Sequence, residues 1–233
     1  MPSTHHKTAL IVGAGSGLSA SLARLLSKSG LKVALAARNP EKLIDLASET
    51  GAKVFACDAS KEDQMAKLFA DVEAVLGAPD VAIYNASFRT RGAFVDLVPA
   101  DVEKAIAITT FGAFLMAQQA AKRMLPKKSG AIFFTGASAS VKGYAKSASF
   151  AMAKFAVRGL SQSLARELQP QGIHVAHFVI DGGIRSERRV EAPDKPDSML
   201  DPDAIAQTYL DVLRQPRSAW TSEIELRPWL ENF

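Results

Sequence analysis

The sequence predicts a single doubly wound α/β domain, a parallel sheet with helices on both faces. Three observations carry the prediction. Short apolar runs alternate with longer segments of three-to-four periodicity along the chain. A glycine-rich turn, Gly13-Ala14-Gly15-Ser16-Gly17-Leu18, joins the first apolar run to the first periodic segment. With 233 residues, 48% of them hydrophobic and 22% charged, the chain suffices for one large core.

The elements follow in order. Residues 8–12 form an apolar run too short and uniform for an amphipathic helix, and fit a strand buried on both faces. Residues 18–29 repeat apolar positions at helical spacing and stop at Gly30. The same pair recurs as strand 32–36 with helix 41–49 before Gly51, and as strand 53–56 with helix 62–76 before Gly77. Strand 80–84 precedes a long helix at 100–124, strand 131–135 a second long helix at 149–168, and strand 173–179 starts after Gly172. Asp201-Pro202-Asp203 opens a late helix, with Asp201 as N-cap and Pro202 at the first helical position. Residues 185–199 are polar and hold two prolines, and read as a mobile substrate loop. Residues 1–7 read as a frayed terminus.

Composition narrows the function classes. The net charge is +4, and the Lys and Arg residues are scattered without a run of five, which argues against a nucleic-acid surface. No apolar run reaches the length of a membrane span, and the opening residues have no apolar core behind them to make a secretory signal. The single cysteine, Cys57, excludes an internal disulfide and fits a reducing cytosol, so a cytoplasmic location is expected. His5 and His6 have nothing beside them to complete a metal site, and no metal is expected.

Chemistry begins at the glycine turn. Gly13, Gly15, Ser16, Gly17 and Leu18 lie where a strand ends and a helix starts. Glycines there let the backbone approach a pyrophosphate, and the helix N-terminus offers free N–H groups and a positive dipole end; a plain tight turn is the competing reading. At the end of the second strand, an NAD-binding fold places an acid for the ribose 2′-hydroxyl. This chain supplies Arg38 instead, whose guanidinium suits a 2′-phosphate and can stack on adenine. Asp58, after the third strand, either accepts from an adenine amino group or caps the next helix.

Taken together, Gly13-x-x-x-Gly17, Arg38, Asp58, Asn85-Ala86, Gly112, Lys154 and Gly182 resemble the short-chain dehydrogenase/reductase family in order and spacing, from about residue 8 to residue 186. The resemblance implies one Rossmann-type domain with a seven-stranded parallel sheet, and oxidation of alcohols or reduction of carbonyls with NAD(P)(H). It also implies that Asn85, Ala86, Gly182 and Ile184 line the cofactor and that Lys154 holds its ribose. The family commonly pairs through its two long helices, whose outer faces here carry Ala117, Ala120, Ala121, Ala148, Phe155 and Leu160, so a homodimer or homotetramer is expected.

The departures lie at the catalytic positions. Phe150 stands where the family carries its tyrosine, one helical turn before Lys154. Thr109 stands at the usual asparagine, and ungapped counting puts Ala137 at the usual serine, with Ser138 the next residue. This pattern resembles an atypical subgroup that keeps the lysine and carries phenylalanine. A one-residue gap would restore Ser138 as the usual serine, and a replacement proton donor is sought in Tyr144, in Ser149 or in Lys154 acting through a water. Tyr144 reads more readily as a pocket wall or surface aromatic, and Ser149 is rotated about 100° away from Phe150 around the helix. His174 and His177 read as satisfied core groups. Ser19 replaces the family's third glycine. The expectation is an NAD(P)(H)-dependent oxidoreductase with an incomplete catalytic tetrad, acting on an unknown small carbonyl or alcohol and preferring NADP(H) to NAD(H). The alternative is an NADP-binding pseudoenzyme serving as sensor or interaction protein.

Overall fold

A computed structural model describes residues 6–187 and 189–231. Residues 1–5 of the expected frayed terminus lie outside the described residues. Seven parallel strands form one sheet in the order β3-β2-β1-β4-β5-β6-β7. In chain order they are β1 (Thr8–Val12), β2 (Lys32–Ala37), β3 (Lys53–Ala56), β4 (Val81–Tyr84), β5 (Gly130–Thr135), β6 (Ile173–Ile180) and β7 (Glu223–Leu226). The six apolar runs are therefore strands, each within a residue or so of its predicted bounds. The seventh strand was implied by the family resemblance and by no apolar run. Its Glu-Ile-Glu-Leu alternates over four residues because it is an edge strand, paired only to β6 and partly open to solvent.

The helices are α1 (Leu18–Lys28), α2 (Ile44–Thr50), α3 (Glu62–Leu76), α4 (Pro99–Ile106), α5 (Gly112–Met124), α6 (Ala148–Leu168) and α7 (Pro202–Leu213). One sheet face packs on α1, α2 and α7 through residues such as Leu22, Leu46 and Tyr209. The other packs on α3, α5 and α6 through Phe69, Met116 and Val157. Successive strand residues alternate between the two layers: Ala9 and Ile11 of β1 join the first core, Leu10 and Val12 the second. Ala117 and Ala120, expected on an outer face, are core residues at 2% and 0% exposure. They fall on the stripe of α5 that meets the sheet, and small side chains let helix and sheet approach closely. No helix among the described residues is long and apolar enough to cross a membrane.

The long helix expected at 100–124 has a widened π-type turn at Ala107–Phe111 between α4 and α5. Its cause is local. The Tyr84 hydroxyl donates to the carbonyl of Ile108, and Thr110 Oγ1 donates to the carbonyl of Ala153 at 3.1 Å, drawing that turn toward α6. Gly112 follows because a Cβ there would lie 2.1 Å from the Tyr84 hydroxyl and 2.6 Å from the Ala59 carbonyl oxygen. The sheet order reverses between β1 and β4, and crevices at the carboxyl ends of strands beside such a switch point are where open α/β sheets bind ligands.

Candidate functional site

The nucleotide end is built from the turn after β1. Gly13 has φ of +87°, and a Cβ there would lie 2.3 Å from the Ala86 backbone nitrogen, so the turn is pressed against the end of β4. Gly15 and Gly17 have no other group within 4 Å of the space a Cβ would take, so their bareness is not demanded by protein packing and leaves the loop open to a ligand. Gly17 caps α1 without a side chain, leaving the helix N-terminus exposed to an anion. The Leu18 side chain turns into the core, so its backbone is what remains for a ligand. Ser19, in place of a glycine, has a specific role: its hydroxyl donates to the Gly13 carbonyl at 3.2 Å and accepts from Asn85 Nδ2 at 2.7 Å. That chain ties the turn to the Asn85-Ala86 segment.

Beside this turn lies a cleft of about 750 Å³ that includes Gly13, Gly15, Ser16, Arg38, Asp58 and Ala86. Arg38 is exposed at its rim. Asp58 Oδ1 accepts from the backbone N–H and hydroxyl of Ser60, at 3.0 and 2.8 Å. Burial alone would raise the Asp58 pKa, but those bonds and the charges of Arg38 and Lys61 hold it below the usual range. Asp58 therefore does cap the turn before α3, and it also lines the cleft.

A second cleft, of about 840 Å³, adjoins the first; Asn85 and Ser87 line both. It brings together Ala137, Ser138, Tyr144, Phe150, Lys154 and the turn after β6. Lys154 is 4% exposed, and its Nζ donates to the Thr135 carbonyl at 2.6 Å and sits 5.8 Å from the Phe150 ring centroid. Burial pushes its pKa from 10.5 down to about 8. Ser140, three residues after Ala137, accepts the Ala137 N–H at 3.1 Å and closes a tight turn, while the Ser138 hydroxyl has no hydrogen bond among the described residues. Tyr144 is 47% exposed at the rim.

Thr109 is fully buried in the widened turn, and its Oγ1 accepts the N–H of Phe88 at 3.1 Å. It fastens the strap of residues 87–92 to the domain, a role that spacing along the chain does not encode. The turn Asp181-Gly182-Gly183-Ile184 is anchored at its first residue. Buried Asp181 accepts from Lys142 Nζ at 3.0 Å and Arg227 Nη2 at 2.6 Å. Among the described residues of the segment 185–199, Arg185 pairs with Asp201 at 2.6 Å, Trp229 Nε1 donates to the Pro196 carbonyl at 3.3 Å, and within the segment Glu191 accepts from Met199 N–H at 2.9 Å. His174 bonds the Thr221 carbonyl at 2.9 Å, as a satisfied core group does. His177 bonds the Glu223 carboxylate through Nδ1 at 3.0 Å, but its Nε2 is buried against Gly136 without a hydrogen-bond partner among the described residues, so the expectation of a fully satisfied histidine fails there. No group of three or more His, Cys, Asp or Glu that could hold a metal occurs among the described residues.

Sequence reasoning overlooked Arg89, Arg91 and Arg189, which also line the second cleft. The alternation Arg89-Thr90-Arg91 just after Asn85-Ala86 was the available signal, since extended residues two apart share a side.

The glycine turn, the switch-point crevice and the buried lysine beside it define a nucleotide-dependent oxidoreductase class, and comparison with known proteins agrees. The short chain dehydrogenase family profile matches residues 7–196. A short-chain dehydrogenase structure from Rhodopseudomonas palustris is 34% identical with a TM-score of 0.82, covering 96% of this chain and 99% of that one. A metagenomic short-chain oxidoreductase solved in complex with NADP is 28% identical with a TM-score of 0.84, covering 98% of this chain and 100% of that one. An uncharacterized oxidoreductase from Staphylococcus aureus (strain USA300) is 29% identical over 228 residues, which is 95% of this chain and 97% of the relative. The chain belongs to the short-chain dehydrogenase family.

Proposed function

We propose that this protein is an NADP(H)-dependent oxidoreductase interconverting a small alcohol and its carbonyl, with Lys154 and Ser138 serving the reacting oxygen and Phe150 serving no proton. The observation that carries the reading is the pair of adjoining clefts. One holds an open glycine turn at a bare helix N-terminus with Arg38 at its rim, and the other a buried lysine. Gly13, Gly15, Ser16 and Gly17 would hold the pyrophosphate, Arg38 the 2′-phosphate, Asp58 the adenine end, and Asn85, Ala86, Lys154, Gly182 and Ile184 the nicotinamide half. The bound nicotinamide supplies or accepts the hydride.

The residues' own work is proton handling and positioning. Carbonyl reduction needs one proton at the substrate oxygen, and a phenyl ring has none. With its pKa near 8, Lys154 can carry that proton at neutral pH and be refilled from solvent through the open cleft. Ser138 presents an unengaged hydroxyl to the same cleft, which favours it over Ala137 as the oxygen-binding group. Thr109 Oγ1 accepts the Phe88 N–H, so it positions the strap. Tyr144 forms the rim wall.

The test is a fluorescence titration with NADPH and NADH, followed by a turnover screen. NADPH is expected to bind about 10–100-fold more tightly, the worth of one charge-assisted hydrogen bond. Arg38→Asp is expected to remove that advantage. Equal affinities in the parent protein would refute the cofactor preference. Tight NADPH binding with no turnover of any carbonyl or alcohol would leave a binding protein in place of an enzyme.

Assembly is proposed as a homodimer or homotetramer through α4, α5 and α6. Phe111 of the widened turn and Phe114, Met152 and Phe155 of the helices are 44%, 41%, 53% and 43% exposed, and the rings of Phe111 and Phe114 stack at 6.0 Å. Phe155 remains from the expected outer-face set. Light scattering at micromolar concentration is expected to give at least twice the monomer mass, and Phe114→Glu to reduce it. A monomer mass for the parent protein would overturn the assignment.

A further inference from the structure

The second cleft has an unbalanced wall. Arg89, Arg91 and Arg189 line it together with Lys146 and Lys154, and Glu231 is the acid among its lining residues. None of the three arginines pairs with a carboxylate among the described residues, whereas Arg158, Arg185 and Arg227 elsewhere in the chain all do. Exposed arginines are ordinary on a protein surface. Three converging on one concave wall repel one another, and the arrangement gains when an anion enters. Arg89 shows the strain: burial, and then the charges of Arg91 and Arg189, hold its guanidinium below the ordinary arginine range.

These side chains are also held in place. The strap that carries Arg89 and Arg91 is fastened at three points. Phe88 N–H donates to Thr109 Oγ1 at 3.1 Å, Ser149 Oγ donates to the Thr90 carbonyl at 3.1 Å, and Gly92 N–H donates to the Lys146 carbonyl at 3.2 Å. With the Thr90 carbonyl committed to α6, its two neighbours are kept at the cleft. The Arg89 guanidinium lies 4.8 Å over the Phe150 ring. Arg189 is set by paired backbone bonds with Ser186, both 3.0 Å, and its guanidinium lies against bare Gly183. A Cβ at position 183 would come within 3.3 Å of Arg189 Nη1.

We propose that the substrate carries an anionic group, carboxylate or phosphate, which Arg89, Arg91 and Arg189 grip while its carbonyl or alcohol carbon faces Lys154. The reacting carbon rests on the oxidoreductase reading above; the anion grip does not. Guanidinium forks match carboxylate and phosphate oxygens two at a time, which lysines cannot do. Phe150 acquires a purpose in this arrangement. Its flat face supports the Arg89 guanidinium by cation–π contact and carries no hydroxyl to compete with the anion for it. The competing assignment is that the arginines hold the cofactor pyrophosphate, and the test separates the two.

Calorimetry on the NADP⁺-loaded and unloaded protein would compare acetoacetate with methyl acetoacetate, and dihydroxyacetone phosphate with dihydroxyacetone. At least one anionic probe is expected to bind about tenfold or more tightly than its neutral partner, with the advantage shrinking as salt rises. Which probe wins identifies carboxylate or phosphate. Arg91→Gln, at an exposed position, is expected to remove the advantage with NADPH affinity unchanged, and Phe150→Leu to weaken it. Equal binding of charged and neutral probes overturns the proposal. So does an Arg91→Gln or Arg189→Gln variant that loses NADPH as strongly as it loses the anion. Anion binding through these arginines without any NADPH binding would sink the oxidoreductase reading and leave the anion site standing.

Discussion

Gly13→Ala is expected to destabilise the fold by about 3 kcal/mol, whereas Gly15→Ala leaves stability unchanged and weakens dinucleotide binding. The two changes add the same methyl group two residues apart. At Gly13 the backbone has φ of +87°, and the new carbon would sit 2.3 Å from the Ala86 nitrogen. The strained conformation and the overlap fall on the contact that joins β1 to β4, so the whole turn must move. At Gly15 the space is empty and the backbone lies outside the left-handed region, so the folded protein accepts the methyl. It does so by filling the volume a pyrophosphate would occupy, and NADPH affinity is expected to fall tenfold or more for one lost backbone contact. Urea denaturation and NADPH titration of both variants check this. Equal stability losses, or retained NADPH affinity in Gly15→Ala, would contradict it.

Lys154→Met is expected to trade function for stability. The lysine's folded pKa, about 8, lies below its ordinary 10.5, because burial penalises the ammonium. The unfolded chain therefore binds more protons than the folded one between those values, and stability rises with pH across that window. Below pH 8 the folded protein carries the full cost of the buried charge. Methionine removes that cost and gives up the 2.6 Å bond to the Thr135 carbonyl. The net gain is expected to be about 2 kcal/mol at pH 7, fading as pH approaches 10.5. NADPH affinity and any turnover are expected to fall together. Urea midpoints at pH 7 and pH 10 provide the check, and a variant less stable than the parent at pH 7 would show that the ammonium is compensated in the fold. A costly buried charge retained beside a cleft is the pattern of a functional group.

Much of this molecule was readable from local pattern. Strands buried on both faces leave uninterrupted apolar runs, and Asp201 with Pro202 marks a helix start that the structure places at the same residue, the Asp201 carboxylate accepting from Asp203 N–H at 2.8 Å. The glycine turn was readable because only glycine tolerates what happens at residue 13. Edge strand β7 was not, since half-exposed strands lose the apolar signature. The π-type turn was not, because it depends on Tyr84 from another layer of the fold.

By itself, the sequence determined the alternation of strand and helix, the glycine turn after the first strand, and which side chains stand at positions 109, 137, 150 and 154, since these rest on neighbours within a few residues. Tertiary structure alone decided what those residues do. Lys154 meets the Thr135 carbonyl 19 positions away, Thr109 is spent on Phe88 21 positions away, and Ser149 holds Thr90 across 59. Ala117 and Ala120 became core, and Arg189 came to line the same cleft as Arg89 and Arg91. Spacing along a chain encodes which face of an element a side chain occupies. Which distant faces meet, and hence where charge accumulates without a partner, is set by the packing of the whole domain.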